Sequence, residues 1–224
     1  TPPQVWMVHS GGFYVVERRK VPDLVSRTLH WFRWEAATTW LSGLALLILI
    51  FYLGGGALVD VDVRDLSVGV AVLIGIGVLV GGWIVYDVMM LSPLGGNERV
   101  FAVIAYILIV ALCYALTHIF SGRAAYIHVG AVFGTIMAAN VWQRILPAQR
   151  KMIEALKNGQ RPDEKLASQA KLRSKQNTFM AVPVVLIMIS NHYPGVTYGE
   201  RNNWLVLSGL ILVGWISAKF IRRA

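Results

Sequence analysis

A chain of 224 residues that is 56% hydrophobic and only 15% charged carries too little polar surface for an ordinary soluble domain of its length. Its net charge of +9 invites a nucleic-acid reading, but the charges are placed as membrane topology places them, so no nucleic-acid partner is needed to explain them. A β-barrel is excluded as well, because barrel strands alternate apolar and polar residues and runs such as LALLILIFYL do not.

Residues 1–35 read as a cytoplasmic, non-spanning segment. The opening Thr1-Pro2-Pro3 has neither a methionine nor a signal-like apolar run, which suggests a processed, truncated or partial chain. Gly11-Gly12 marks a turn, residues 15–20 are short and basic, and Pro22-Asp23 opens a helix that leads into the bilayer. His30, Trp31, Arg33 and Trp34 lie where that helix leaves the cytoplasmic face, a position typical of interfacial anchors, with His30 and Glu35 as candidates for a more specific role.

A helix rises about 1.5 Å per residue and the hydrocarbon core is about 30 Å thick, so each crossing needs roughly 20 apolar residues. Six stretches qualify: 36–53, 68–91, 100–120, 124–146, 177–192 and 203–221. The expected fold is therefore all-α, a polytopic bundle over residues 36–224. The fifth stretch is short and contains Pro183, which is expected to kink it. Gly77-x-x-x-Gly81 and Gly130-x-x-x-Gly134 have the spacing of close helix packing. Cys113, the single cysteine, lies mid-span and reads as a small packing residue.

Of the 21 lysines and arginines, all but Arg64, Arg123 and Arg201 fall in or beside the two termini and the loops after the second and fourth spans. The positive-inside rule then puts both termini in the cytoplasm. The basic segment at about 147–176 reads as amphipathic helix resting on anionic headgroups, or as a docking surface for a partner subunit. The loop with Asp60, Asp62 and Asp65 lacks the glycine and distal glutamate of a calcium loop and reads as a solvated acidic loop.

Ionisable groups at membrane depth are costly and point to function. His118 and His128 flank the tight turn Ser121-Gly122-Arg123, which makes their helices antiparallel neighbours, and His192 ends the fifth span at the same level. Facing imidazoles there can ligate a metal or haem iron, with His118 and His128 as ligands and haem b as the cofactor, or can relay protons; a hydrogen-bonded structural role is the plain alternative. Arg123 and Tyr126 beside them can hold an anionic or amide-rich planar substrate by paired hydrogen bonds. At the opposite end Asp87 is expected to pair with Arg33 or Arg99, and Asn140 and Asn191 to bridge helices.

The segments HSGGFYVVERRK (9–20), LHWFRWEAATTWLSG (29–43), SGRAAYIHVGAVFGTIMAANV (121–141), LPAQRKM (146–152) and MISNHYP (188–194) resemble the membrane domain of the bacterial cytochrome c-linked urate oxidases. That resemblance implies a multi-pass enzyme of the bacterial inner membrane, active in purine catabolism. It would oxidise urate to 5-hydroxyisourate with water as oxygen source and pass electrons to a periplasmic cytochrome c domain or to a larger electron-transfer complex. His118, His128 and His192 would then be catalytic and Arg123 and Tyr126 substrate-binding. Against that family plan, the sequence lacks the first helix, the last helix and a Cys-x-x-Cys-His haem attachment site, and haem c is expected only on a missing domain or a partner. The competing expectation is a non-catalytic, structural subunit of a respiratory or photosynthetic electron-transfer complex.

Overall fold

The computed structural model describes residues 4–9, 12–17, 33–54 and 56–222. The bundle is all-α as expected, and ahead of it, in the non-spanning segment, strands β1 (Gln4–His9) and β2 (Gly12–Glu17) pair antiparallel, from Gln4 opposite Glu17 to His9 opposite Gly12. The sequences QVWMVH and GFYVVE are rich in β-branched and aromatic residues, which favour a strand pair. His30 and Trp31 lie outside the described residues.

The rest is a helix bundle. Helix α1 (Arg33–Leu47) passes into a π-helical turn, Ile48–Leu53. Helices α2 (Val68–Leu91) and α3 (Glu98–Thr117) follow, joined by a short 3-10 turn, Pro93–Gly96. Asn97 starts α3 by accepting the Val100 amide through Oδ1 at 3.2 Å. Helix α4 (Gly122–Ala139) continues through a second π-helical turn, Asn140–Ile145, into α5 (Leu146–Lys157). Gly159, at φ +69°, ends that run, and Asp163 caps α6 (Glu164–Ser190) through Oδ1 on the Lys165 amide at 2.8 Å. Helix α7 (Asn203–Ile221) closes the chain.

Five runs are long and apolar enough to cross a membrane: Arg33–Leu53, Val68–Leu91, Glu98–Thr117, Gly122–Lys157 and Asn203–Ile221. The expected fifth stretch, 177–192, is not among them. It is the apolar half of α6, whose first half carries Lys165, Lys171, Arg173 and Lys175. The expected amphipathic segment is helical: α5 continues the fourth crossing run with one face exposed, and it packs against the basic first half of α6.

Helix α4 is the centre of the bundle. It packs against α1, α2, α3 and α6, and half of its apolar stretch is buried, against 28% or less for the other four crossing runs. The outer helices turn large side chains such as Leu53, Leu73 and Phe220 outward, as a lipid-facing surface requires.

Close helix approach occurs at other glycines than the two spaced pairs. A Cβ at Gly77, Gly81 or Gly134 would meet nothing within 4 Å, and one at Gly130 would make only an ordinary contact. At Gly82 it would lie 2.7 Å from Val132 Cγ1, which is where α2 presses on α4. At Gly214 it would lie 2.8–2.9 Å from three atoms of buried Pro183, where α7 presses on α6. Spacing alone identifies a small-residue stripe but not which face meets a neighbour. Gly214→Ala should therefore lower the thermal unfolding midpoint of the detergent-solubilised protein, at an overpacking cost of about 1–3 kcal/mol. Gly209→Ala, with open space around it, should leave the midpoint unchanged or raise it.

Candidate functional site

The turn between α3 and α4 is stitched to its neighbours before any reactive group is placed. Ser121 caps α4 by accepting the Ala124 amide at 3.3 Å, and its hydroxyl donates to the Ala57 carbonyl at 2.7 Å. Its amide donates to the Leu58 carbonyl at 3.0 Å. Gly122 has no room for a side chain, because a Cβ would lie 2.3 Å from the Tyr198 carbonyl oxygen. The loops after α1 and α6 thus converge on this end of the bundle.

Nearly two turns into α4, His128 is completely buried. Its Nδ1 lies 2.7 Å from the Ala124 carbonyl, which can only accept, so Nδ1 carries a proton. In the neutral ring Nε2 is then an acceptor, and the Tyr52 hydroxyl donates to it at 3.1 Å. Phe120 and Phe51 pack around the imidazole at centroid distances of 4.8 and 6.0 Å. Gly75 of α2 makes this possible: a Cβ there would sit 2.6 Å from the Tyr52 hydroxyl and 2.9 Å from His128 Nε2. Tyr52 comes from the π-helical turn that ends the first crossing run.

The other expected site residues have different surroundings. His118 is exposed; its Nδ1 donates to the Tyr114 carbonyl at 2.7 Å and its ring stacks on Tyr114 at 4.1 Å. It shares no partner with His128. Both ring nitrogens of His128 are engaged within the protein, so the pair as arranged does not fit a metal or haem iron held between His118 and His128. Among the described residues, no three His, Cys, Asp or Glu side chains converge as a metal cluster. Tyr126 is buried, and its hydroxyl donates to the Asn203 carbonyl at 2.7 Å, fastening α4 to the start of α7. Arg123 and His192 are exposed, with no side-chain hydrogen bond or ion pair among the described residues.

A second polar cluster occupies the opposite end of α4, about 18 Å away along the helix by its rise per residue. Asp87 pairs there with Arg144 and Arg173, not with Arg33 or Arg99. Arg173 Nη2 lies 2.8 Å and Arg144 Nε 3.0 Å from Asp87 Oδ1, and Arg144 Nη2 reaches Oδ2. Arg173 also donates to Asn140 Oδ1 at 3.1 Å and lies over the Tyr86 ring at 5.2 Å. Asn140 Nδ2 in turn donates to the Tyr86 hydroxyl at 3.0 Å and to Asn177 Oδ1 at 2.9 Å. Asn140 therefore bridges helices as expected, whereas the Asn191 side chain, among the described residues, bonds the Ile187 carbonyl of the preceding turn and no other helix.

The sequence offered a signal for Arg173. Ala170, Arg173, Met180, Pro183 and Ile187 recur at helical spacing and are all buried, so the inward face of α6 runs unbroken from its basic half into its apolar half. Tyr52 had a fainter signal, a single hydroxyl in an otherwise apolar run.

These features define a multi-pass helical membrane protein with a buried histidine–tyrosine pair at one end of its central helix and an ionic cluster at the other. The description "urate oxidase N-terminal" belongs to the family model that matches residues 2–224, and the chain belongs to that family. Comparison with curated proteins and with solved structures returned no match.

Removing one member of a buried ionic cluster leaves an uncompensated charge, at a cost of about 3–5 kcal/mol. Asp87→Ala strands Arg173, which is only 4% exposed, and should strongly reduce the yield of folded, detergent-stable protein. Arg144→Gln leaves the Asp87–Arg173 pair intact and removes a partly exposed group. It should cost markedly less by thermal unfolding.

Proposed function

We propose that this chain is the membrane part of a urate-oxidising enzyme that delivers electrons to a cytochrome c, with the His128–Tyr52 pair as its proton-accepting group. The family match over residues 2–224 supports the substrate class. The buried pair is the observation that carries the chemistry.

Urate and water give 5-hydroxyisourate with release of two protons and two electrons. The electrons go to a c-type cytochrome, an acceptor outside the described chain, and the protons need a base. Tyr52 is half-buried and can take a proton from substrate or water on its phenolic oxygen while passing its own to His128 Nε2. The bond from Nδ1 to Ala124 holds the ring so that Nε2 stays turned toward Tyr52. Arg123, exposed in the first turn of α4, supplies a planar guanidinium for the carbonyl or anionic edge of a purine. Tyr126 acts through position, fastening the start of α7 beside that turn.

In this reading the membrane is the bacterial inner membrane and both termini are cytoplasmic. The end bearing His128 and Arg123 then faces outward, toward a periplasmic acceptor. This needs a sixth crossing, and α6 supplies it: the whole helix, at 27 residues, is about 40 Å long. Its residues 177–190 pack on α4 and α7 while its basic half lies at the headgroups.

A second reading, a non-catalytic subunit of an electron-transfer complex, is favoured by one observation: His118 and His192 are exposed and do not join His128. Urate-dependent reduction of added ferric cytochrome c by membranes containing the protein separates the two. On the catalytic reading His128→Gln lowers kcat about a hundredfold or more, within the range of general acid–base catalysis, while His118→Gln and His192→Gln change it little. Gly75→Ala, which drives a methyl between Tyr52 and His128 without altering either, lowers kcat as well. No urate-dependent reduction by the unaltered protein, or equal rates for His128→Gln and the parent, would overturn the proposal.

A further inference from the structure

Helices α2 and α3 are joined by a short turn yet scarcely touch along their length. α2 leans on α4, and α3 on α4 and α7. The gap between them is an apolar slot of about 570 Å³, walled by Val78, Gly81 and Val85 from α2 and by Ala102, Ala105 and Leu112 from α3. Small residues on both walls keep it open; a Cβ at Gly81 would meet nothing within 4 Å. At the end nearer the Asp87 cluster the lining turns polar, with Glu98, Lys175, Gln176 and Lys219.

Beside that end lies a second recess of about 370 Å³, between α5, α6 and the end of α7, lined by Lys171, Ser174, Lys175, Gln149 and Arg222 among others. Lys175 lines both cavities. Glu98 pairs with Lys175 at 2.5 Å and is the one carboxylate in either lining, against Lys171, Lys175, Lys219 and Arg222. The slot wall also contains an unsatisfied donor: Trp215 Nε1 is buried and has no hydrogen-bond partner among the described residues. Trp215 and Lys219 are four residues apart on α7, on one face and about 6 Å apart along the axis.

We propose that the slot and the basic recess together bind one anionic phospholipid. An acyl chain fills the slot and the phosphate lies among Lys175, Lys219 and the recess cations. An ester carbonyl, one step deeper than the phosphate, accepts from Trp215 Nε1. Each part of the site matches a part of this ligand: apolar volume in the range of ligand pockets, a lone donor at ester depth, and a cluster of basic groups of the kind that binds lipid headgroups between helices. A zwitterionic lipid fills the slot equally well but gains less from the cations. The inference does not depend on the reaction proposed above.

The test is native mass spectrometry of the detergent-solubilised protein after equilibration with phosphatidylglycerol or with phosphatidylcholine of the same acyl chains. One phosphatidylglycerol per chain is expected to survive dilution at concentrations that strip phosphatidylcholine. Lys175→Gln combined with Lys219→Gln should weaken its retention about tenfold or more, given the contribution of each basic residue near an anionic surface. Gly81→Leu, which projects into the slot, should abolish it. Glu98→Gln, which removes the opposing carboxylate and frees Lys175, should strengthen retention, so the test stands even if the lysine double variant folds poorly. Equal retention of both lipids, retention unaffected by these substitutions, or detergent as the only bound species, an adventitious additive only, would overturn the proposal.

Discussion

No water reaches the hydrocarbon core, so a polar group placed there must be satisfied by the protein itself. This constraint explains how the bundle is joined. Where helices are tied by side-chain hydrogen bonds, the tie is a polar group that would otherwise be stranded: Trp40 to Thr135 between α1 and α4, Tyr106 to the Ser208 carbonyl between α3 and α7, Tyr126 to the Asn203 carbonyl between α4 and α7. Apolar burial cannot supply this specificity, because lipid tails compete with side chains for the same surfaces. The Asp87 cluster, near the end of the bundle, is tied more tightly still. Its two guanidinium groups come from the continuation of α4 and from α6, so one carboxylate on α2 fixes the relation of three elements.

Both polar clusters involve a π-helical turn. Tyr52 and Phe51 lie in Ile48–Leu53, and Asn140 and Arg144 in Asn140–Ile145. An extra residue in a helical turn rotates the side chains that follow relative to those before, which lets one helix present an apolar stripe to its neighbours and then aim a polar group at a different partner. In the first crossing run, Leu47 and Phe51 are buried while Leu49 and Leu53 face outward, and Tyr52 is turned toward His128. In the fourth, the buried stripe of α4 ends at Ile136, and Asn140 faces Tyr86, Arg173 and Asn177. The geometry costs poorer hydrogen bonds in two turns, and those turns hold the two clusters.

The helices and their places in the chain were legible because hydrophobic length is a strong signal: five of the six expected spans fall on the five crossing runs, four of them with both ends within three residues. The hairpin was missed because its strands are short and the basic residues after Glu17 dominated the reading of that segment. The partners of Asp87 were missed because Arg173 was assigned by its charge to the basic surface segment, although the buried face of α6 passes through it, and because Arg144, near the end of the expected fourth span, was not weighed as a partner. The level of His128 along its helix could be read from its distance to the turn, but not its facing. That depends on which side of α4 meets α1 and α2, and only the absence of a side chain at Gly75 shows it.

The burial of His128 also constrains any reaction at this end of the bundle. A wholly buried imidazole cannot touch a solute that arrives from water, so a proton reaches it only through a group that spans the boundary. Tyr52, half-buried and hydrogen-bonded to Nε2, is such a group, and the backbone bond at Nδ1 closes the other exit. Arg123 and His192 are exposed, so on the proposed reading they can attract or orient a solute but cannot store a proton away from water. On the proposed reading the exposed groups bear on recognition and the buried pair on proton transfer. Substitutions at Arg123 should therefore act through KM, whereas those at Tyr52, Gly75 and His128 should act together through kcat.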